Sequence, residues 1–326
     1  MSESKMTGQG RPSSTNPTQA APRKTSRDFH PDVLRLFDSY VHGIIDRRAF
    51  LERAAKFATG TTALALLDAL NPRFAEAAQV VPTDNRIHGE YHELASPDGY
   101  GKVRGYLVGP SKTGGKLPAV LVVHENRGLN PHILDIARRL ALDNFLAFAP
   151  DALFPLGGYP GDEDAARELF TKLDQTKTRQ DFVASARWLE RHPGSNGRLG
   201  VVGFCWGGGI AHFLSTKLPT LKAAVPFYGM PPAPEDAKLV KAPLLVHLAE
   251  HDDRINSTWP DYEAALKVAH VQFDVFRYPG TQHGFNNDTT PRYDEASAKL
   301  AWSRTLSFFE KTLRTPGSAP PAAQKV

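Results

Sequence analysis

The chain holds one cysteine in 326 residues, so no disulfide can form within it. It also lacks an uninterrupted apolar run of eighteen residues, which argues against a permanent helical membrane span. The larger part of the chain has almost no excess of charge of one sign. Lys and Arg outnumber Asp and Glu by 39 to 35, but residues 1–79 carry 11 against 8 of these, leaving 28 against 27 for the remainder. The pI near 9.0 therefore makes no case for a nucleic-acid surface. No internal repeat is visible. A disulfide scaffold, a membrane channel and a nucleic-acid binder are set aside on these grounds.

What is present is alternation. Apolar, β-branched runs at 103–108, 120–123, 145–149, 199–204, 223–228, 243–248 and 272–278 predict strands. Amphipathic segments at 132–143, 162–173, 179–191, 206–217, 261–269 and 293–313 predict helices between and after them. Such alternation implies an α/β fold, a largely parallel sheet covered on both faces.

One turn in this pattern carries chemistry. Leu199-Gly200-Val201-Val202 leads into Gly203-Phe204-Cys205-Trp206-Gly207, and Gly208-Gly209-Ile210-Ala211 opens a helix. Strand, Gly-x-nucleophile-x-Gly and helix form a nucleophile elbow. Glycines are needed there because a Cβ two residues from the nucleophile would collide with the neighbouring backbone. The nucleophile position holds the lone cysteine, where a helix N-terminus favours the thiolate. A small buried cysteine beside a glycine-rich packing turn is the bland alternative.

Partners follow in the order acid, then base. Asp252 lies in the loop after the strand Pro243–Leu248, with Asp253 its rival for the role. His283 lies in a glycine-flanked loop after 272–278. The spacing predicts a Cys205–His283–Asp252 triad. Loop 124–130 follows the apolar strand 119–123 and predicts an oxyanion hole made by the N–H groups of Asn126 and Trp206. His88/His92 and His247/His251 have helical metal spacing but lie in strand contexts, where such pairs diverge, so neither a metal nor another cofactor is expected.

Four motifs, His124-Glu125-Asn126-Arg127-Gly128-Leu129-Asn130 after Val123, Ala149-Pro150-Asp151, the elbow at 203–208, and Gln282-His283-Gly284-Phe285, make residues 91–313 resemble the dienelactone hydrolase (carboxymethylenebutenolidase-like) family of the α/β-hydrolase superfamily. The resemblance implies a hydrolase for a small-molecule carboxylic ester or lactone, working through an acyl-enzyme on Cys205. It also implies that Glu125 bonds the resting thiol and activates it. Members acting on dienelactone hold a substrate carboxylate with arginine; Arg127, in the oxyanion loop, Arg167 and Arg179 are candidates, and no motif fixes which of them would do so. A thioesterase or acyl transferase on the same scaffold, and a non-catalytic binding protein of this fold, are the alternatives.

Three segments are expected: residues 1–79, 80–315 as the hydrolase domain, and 316–326 as a Pro/Ala-rich disordered tail. Residues 1–27 have the composition of a disordered stretch. Phe29–Ile45 has helical apolar spacing, and Asp46-Arg47-Arg48-Ala49-Phe50-Leu51 resembles the signal read by the twin-arginine export machinery. A weakly apolar stretch, 57–70, and Ala75-Glu76-Ala77 as a cleavage site follow in the order of a signal peptide. The expectation is an exported, periplasmic protein beginning near Ala78. Its alternative is a helical hairpin packed on the catalytic domain of a cytoplasmic enzyme.

Overall fold

A computed structural model describes residues 23–314. The disorder expected of 1–27 lies mostly outside that range, as does the expected tail. Residues 26–28 form a short 3-10 turn. Four helices come first: α1 (Pro31–Val41), α2 (Arg47–Ala54), α3 (Ala63–Leu70) and α4 (Phe74–Ala77). Then come β1 (Ile87–Ser96), β2 (Gly101–Pro110), β3 (Leu117–Val123), α5 (Pro131–Leu142), β4 (Leu146–Pro150), α6 (Glu163–Phe170) and α7 (Gln175–Arg191). The chain continues through β5 (Ser195–Phe204), α8 (Trp206–Lys217), β6 (Ala223–Phe227), β7 (Leu244–His251), α9 (Asp253–Asn256), α10 (Trp259–Val268), β8 (Phe273–Gln282) and α11 (Glu295–Leu313).

The eight strands form one sheet in the order β1-β2-β4-β3-β5-β6-β7-β8. β2 runs antiparallel to both β1 and β4, and every pairing from β4 to β8 is parallel. The central strands β3, β4 and β6 are apolar along nearly their whole length because helices cover both faces. One apolar layer lies between the sheet and α7, α8 and α10; the other lies between it and α5 and α11. β1 escaped the sequence reading. It is an edge strand with only Ile87, Leu94 and Ser96 buried, so it carries no apolar run. In a parallel sheet of this kind the site lies beyond the carboxyl ends of the strands. Cys205, Asp252 and His283 are in the segments leaving β5, β7 and β8.

Helices α1 to α3 enclose a small core of their own, built from Phe29, Val33, Leu34, Phe37, Tyr40, Phe50, Ala54, Leu67 and Leu70. Asp46 caps α2 through Ala49 N–H at 2.7 Å, and Thr62 caps α3. This unit is seated over the strand ends. Arg167 donates to the Tyr40 carbonyl at 3.0 Å and lies 4.0 Å above the Tyr40 ring, while the Tyr40 hydroxyl bonds Asp164. Arg47, the first arginine of the pair, faces Asp164 at 3.6 Å. Arg48 is exposed and pairs with Glu52 on its own helix. No helix among the described residues is long and apolar enough to cross a membrane.

Candidate active site

Beyond Phe204 the backbone turns sharply. A Cβ on Gly203 would lie 2.0 Å from the Gly207 carbonyl oxygen, and one on Gly207 would lie 2.4 Å from that of Val123. Neither position tolerates a side chain. Cys205 itself sits at φ 57°, ψ −114°, a conformation that costs a non-glycine residue about 1–3 kcal/mol. It persists because its N–H donates to the Phe227 carbonyl at 3.0 Å and its carbonyl accepts from Gly209 at 3.2 Å. The thiol is thereby held at the head of α8, only 8 % exposed.

His283 and Asp252 meet there. His283 Nδ1 lies 2.6 Å from Asp252 Oδ2, and both side chains are buried. Asp253 is instead the first residue of α9, exposed. His283 Nε2 has no hydrogen-bond partner among the described residues and lies within 4.8 Å of Cys205 Sγ.

A second imidazole stands on the thiol. His42, just past the end of α1, places Nε2 3.3 Å from Cys205 Sγ. Its Nδ1 is 2.8 Å from the Asp38 carbonyl and 3.3 Å from Asp38 Oδ1. Arg254 Nη2 donates to His42 Nε2 at 3.0 Å. A guanidinium can only donate, so Nε2 is the acceptor nitrogen and the ring proton sits on Nδ1, facing Asp38. The Cys205, His42 and His283 donor atoms all lie within 4.8 Å of one another. Burial pushes the thiol's pKa up, but the His283 and His42 imidazoles outweigh it and hold it at about 5. Burial alone would lower His283; the Cys205 and Asp252 charges reverse that and raise it to about 10. His42 is likewise raised: burial opposes protonation, while Cys205 and Asp38 favour it.

The oxyanion-loop residues are placed differently from one another. The N–H groups of Trp206 and Asn126 have no acceptor among the described residues. The Trp206 indole stacks 5.5 Å from His124, and its Nε1 donates to Gln175 at 3.0 Å, so it walls the site. Glu125 accepts from Asn287 Nδ2 at 3.0 Å, and the contact expected between Glu125 and the thiol is taken by His42. Arg127, expected at the substrate, turns to the N-terminal unit: Nη1 donates to the Val41 carbonyl at 3.2 Å and to Asn126 Oδ1 at 2.7 Å, and Nε lies 3.6 Å from Glu163. Asn126 Nδ2 also donates to Val41, at 2.8 Å. The carbonyl end of α1 is thus bound by two residues of the oxyanion loop.

His42 divides the space around the thiol. On one side lies a chamber of about 630 Å³, bordered by Cys205, Trp206, Phe213 and Met230. Arg167, Arg179, Lys217 and Arg254 line it against the single carboxylate Asp236. On the other lies a recess of about 40 Å³ that reaches Cys205, His283, Glu125 and Asn287. Tyr228, at φ 38°, places its ring 4.9 Å from that of His283, with its buried hydroxyl unpartnered among the described residues.

Sequence reasoning missed His42, Asp38, Tyr228 and Asn287. Asp38 and His42 had a signal, an i,i+4 pair at the end of a recognised helix, but reading the segment as an export leader concealed it.

Comparison with known proteins agrees with this architecture. Residues 103–313 match the model of the dienelactone hydrolase family, and residues 21–56 match a separate model described as YqhI-like. A Salmonella typhi protein named "Putative carboxymethylenebutenolidase" is 36% identical over 219 residues, covering 63% of this chain and 81% of its own. An Escherichia coli K12 protein named "Putative hydrolase fragment YghX" is 57% identical over 115 residues, 35% of this chain and 98% of its own. Among solved structures, one titled as a putative dienelactone hydrolase from Klebsiella pneumoniae superposes with a TM-score of 0.60 at 33% identity, covering 69% of this chain and 99% of that one.

Proposed function

Because the chain belongs to the dienelactone hydrolase family, hydrolysing esters or lactones, we propose that it does so through a Cys205–His283–Asp252 triad and a covalent thioester. The observation that supports this best is the trio of a strained, buried thiol, an imidazole within 4.8 Å of it, and a carboxylate 2.6 Å behind that imidazole. The thiolate attacks the acyl carbon, and the oxyanion is received by the N–H groups of Trp206 and Asn126. The C–O bond breaks, the leaving oxygen takes a proton, and water then cleaves the thioester with His283 as base. Asp252 holds the imidazole in the tautomer that presents Nε2 to the thiol.

The chamber supports a substrate class. Four cationic side chains against one carboxylate favour an ester or lactone that carries its own negative charge. Arg167 and Arg179 are the candidates from the sequence that line it; Arg254 is a third.

The test is covalent trapping. Full-length protein mixed with a carboxylate-bearing nitrophenyl ester and quenched within the burst should carry one acyl mass on the peptide containing Cys205. Cys205→Ala should show neither adduct nor turnover. Turnover by Cys205→Ala would exclude the mechanism.

A further inference from the structure

We propose that His42, from the N-terminal helical unit, is a catalytic acid–base residue of the acylation step, oriented by Asp38, so that Cys205 is served by two His–Asp couples. The proposal rests on Cys205 being the nucleophile.

Three observations carry it. His42 Nε2 is 3.3 Å from Sγ and is an acceptor nitrogen, as its bond from Arg254 requires. Asp38 backs Nδ1 as Asp252 backs that of His283. The two imidazoles also differ in their access to the two spaces. His42 borders both, and of the two imidazoles it alone borders the chamber of about 630 Å³, where a substrate and its leaving group fit. His283 borders the recess of about 40 Å³, which is large enough for a water, whose share of the liquid is about 30 Å³.

A division of labour follows. In acylation the sulfur, already a thiolate, forms the S–C bond with its electron pair, and the proton it gave up is carried by His42 Nε2 once substrate has drawn Arg254 away. Collapse of the tetrahedral intermediate breaks the C–O bond, and the departing alkoxide takes the proton from His42. In deacylation a water in the recess gives its proton to His283 and its oxygen to the acyl carbon. The S–C bond breaks, the sulfur leaves as the thiolate, and the proton taken up by His283 returns by way of the sulfur to His42 for the next cycle. The sum is ester plus water to acid plus alcohol. The charged and titratable groups facing His42 are Asp38, Cys205, His283 and Arg254, with Arg292 on Asp38 at 3.4 Å. An anionic substrate in the chamber competes for Arg254, which removes a cation from Nε2 and favours its protonation.

The experiment compares leaving groups in the full-length protein. Wild type, His42→Gln, Asp38→Asn and Cys205→Ala are assayed on a nitrophenyl ester and on the ethyl ester of the same acid. Nitrophenolate departs without a proton; ethoxide needs one. His42→Gln should lower kcat/KM on the ethyl ester by roughly 10²–10⁴-fold, the contribution of a general acid. It should lose only a few-fold on the nitrophenyl ester, a result that also shows the variant folded. Asp38→Asn should repeat this selectivity more weakly. Equal losses on both esters would make His42 structural, and faster turnover of both would make it a plug over the site; either result overturns the proposal. Turnover by Cys205→Ala would instead remove the nucleophile on which it rests.

Discussion

Asp252 meets His283 across 2.6 Å while its neighbour Asp253 points away as the first residue of α9. Two adjacent carboxylates thus have unlike surroundings, and only one borders the base. Asp252→Asn should lower kcat by up to about 10⁴-fold, the size seen when a triad imidazole loses its tautomer control. Asp253→Asn should stay within a few-fold of wild type in the same steady-state assay.

Titration of the thiol gives a second prediction. An acid whose pKa lies near 5 is mostly thiolate above that pH, so alkylation by iodoacetamide should rise through pH 5 and then level off. The chain has no other cysteine, so the total rate reports this site alone. His283→Gln and His42→Gln each remove one of the two imidazoles and should move the midpoint upward, toward the ordinary cysteine range. A midpoint left at its wild-type value in both variants would mean that neither imidazole stabilises the thiolate.

Glu125 borders the recess rather than the chamber, held by Asn287 at 3.0 Å. Glu125→Gln keeps its size but accepts no proton, and it should slow release of the acyl group more than its formation. Stopped-flow traces would then keep the nitrophenolate burst while the steady-state rate falls by roughly 10²-fold, at the lower end for a proton acceptor. A lost burst with normal steady-state turnover per competent site would contradict this placement.

How much of this could be read in the sequence depends on how local each constraint is. The elbow was legible because its glycines and its nucleophile fall within five residues, Gly203 to Gly207. The parallel sheet was legible because its central strands are covered on both faces and so read as apolar runs. β1 was not, since an edge strand needs few buried side chains. His42 was not, because its contact with Cys205 spans 163 positions and no local pattern encodes it. The twin arginines are a motif that the folded chain does not test: Arg47 faces Asp164 and Arg48 faces Glu52, both surface partnerships.

That leader supplies a prediction about the chain's ends. Cleavage after Ala77 would remove Asp38 and His42 and leave Arg127 and Asn126 without the Val41 carbonyl they bind. The active protein recovered from cells should therefore have the mass of a chain that keeps residues 23–77. A fully active protein beginning near Ala78 would mean that export removes the unit and that the site works without it.

The unequal spaces on either side of His42 bear on product choice. A thioester can be cleaved by water, by an alcohol or by an amine. In the division of labour proposed above, the attacking molecule reaches the acyl carbon from the recess of about 40 Å³, which has room for about one water. On that path hydrolysis would be selected over acyl transfer by size, before any difference in nucleophilicity is felt. With butanol or butylamine added in excess, the acyl group should still leave as the free acid.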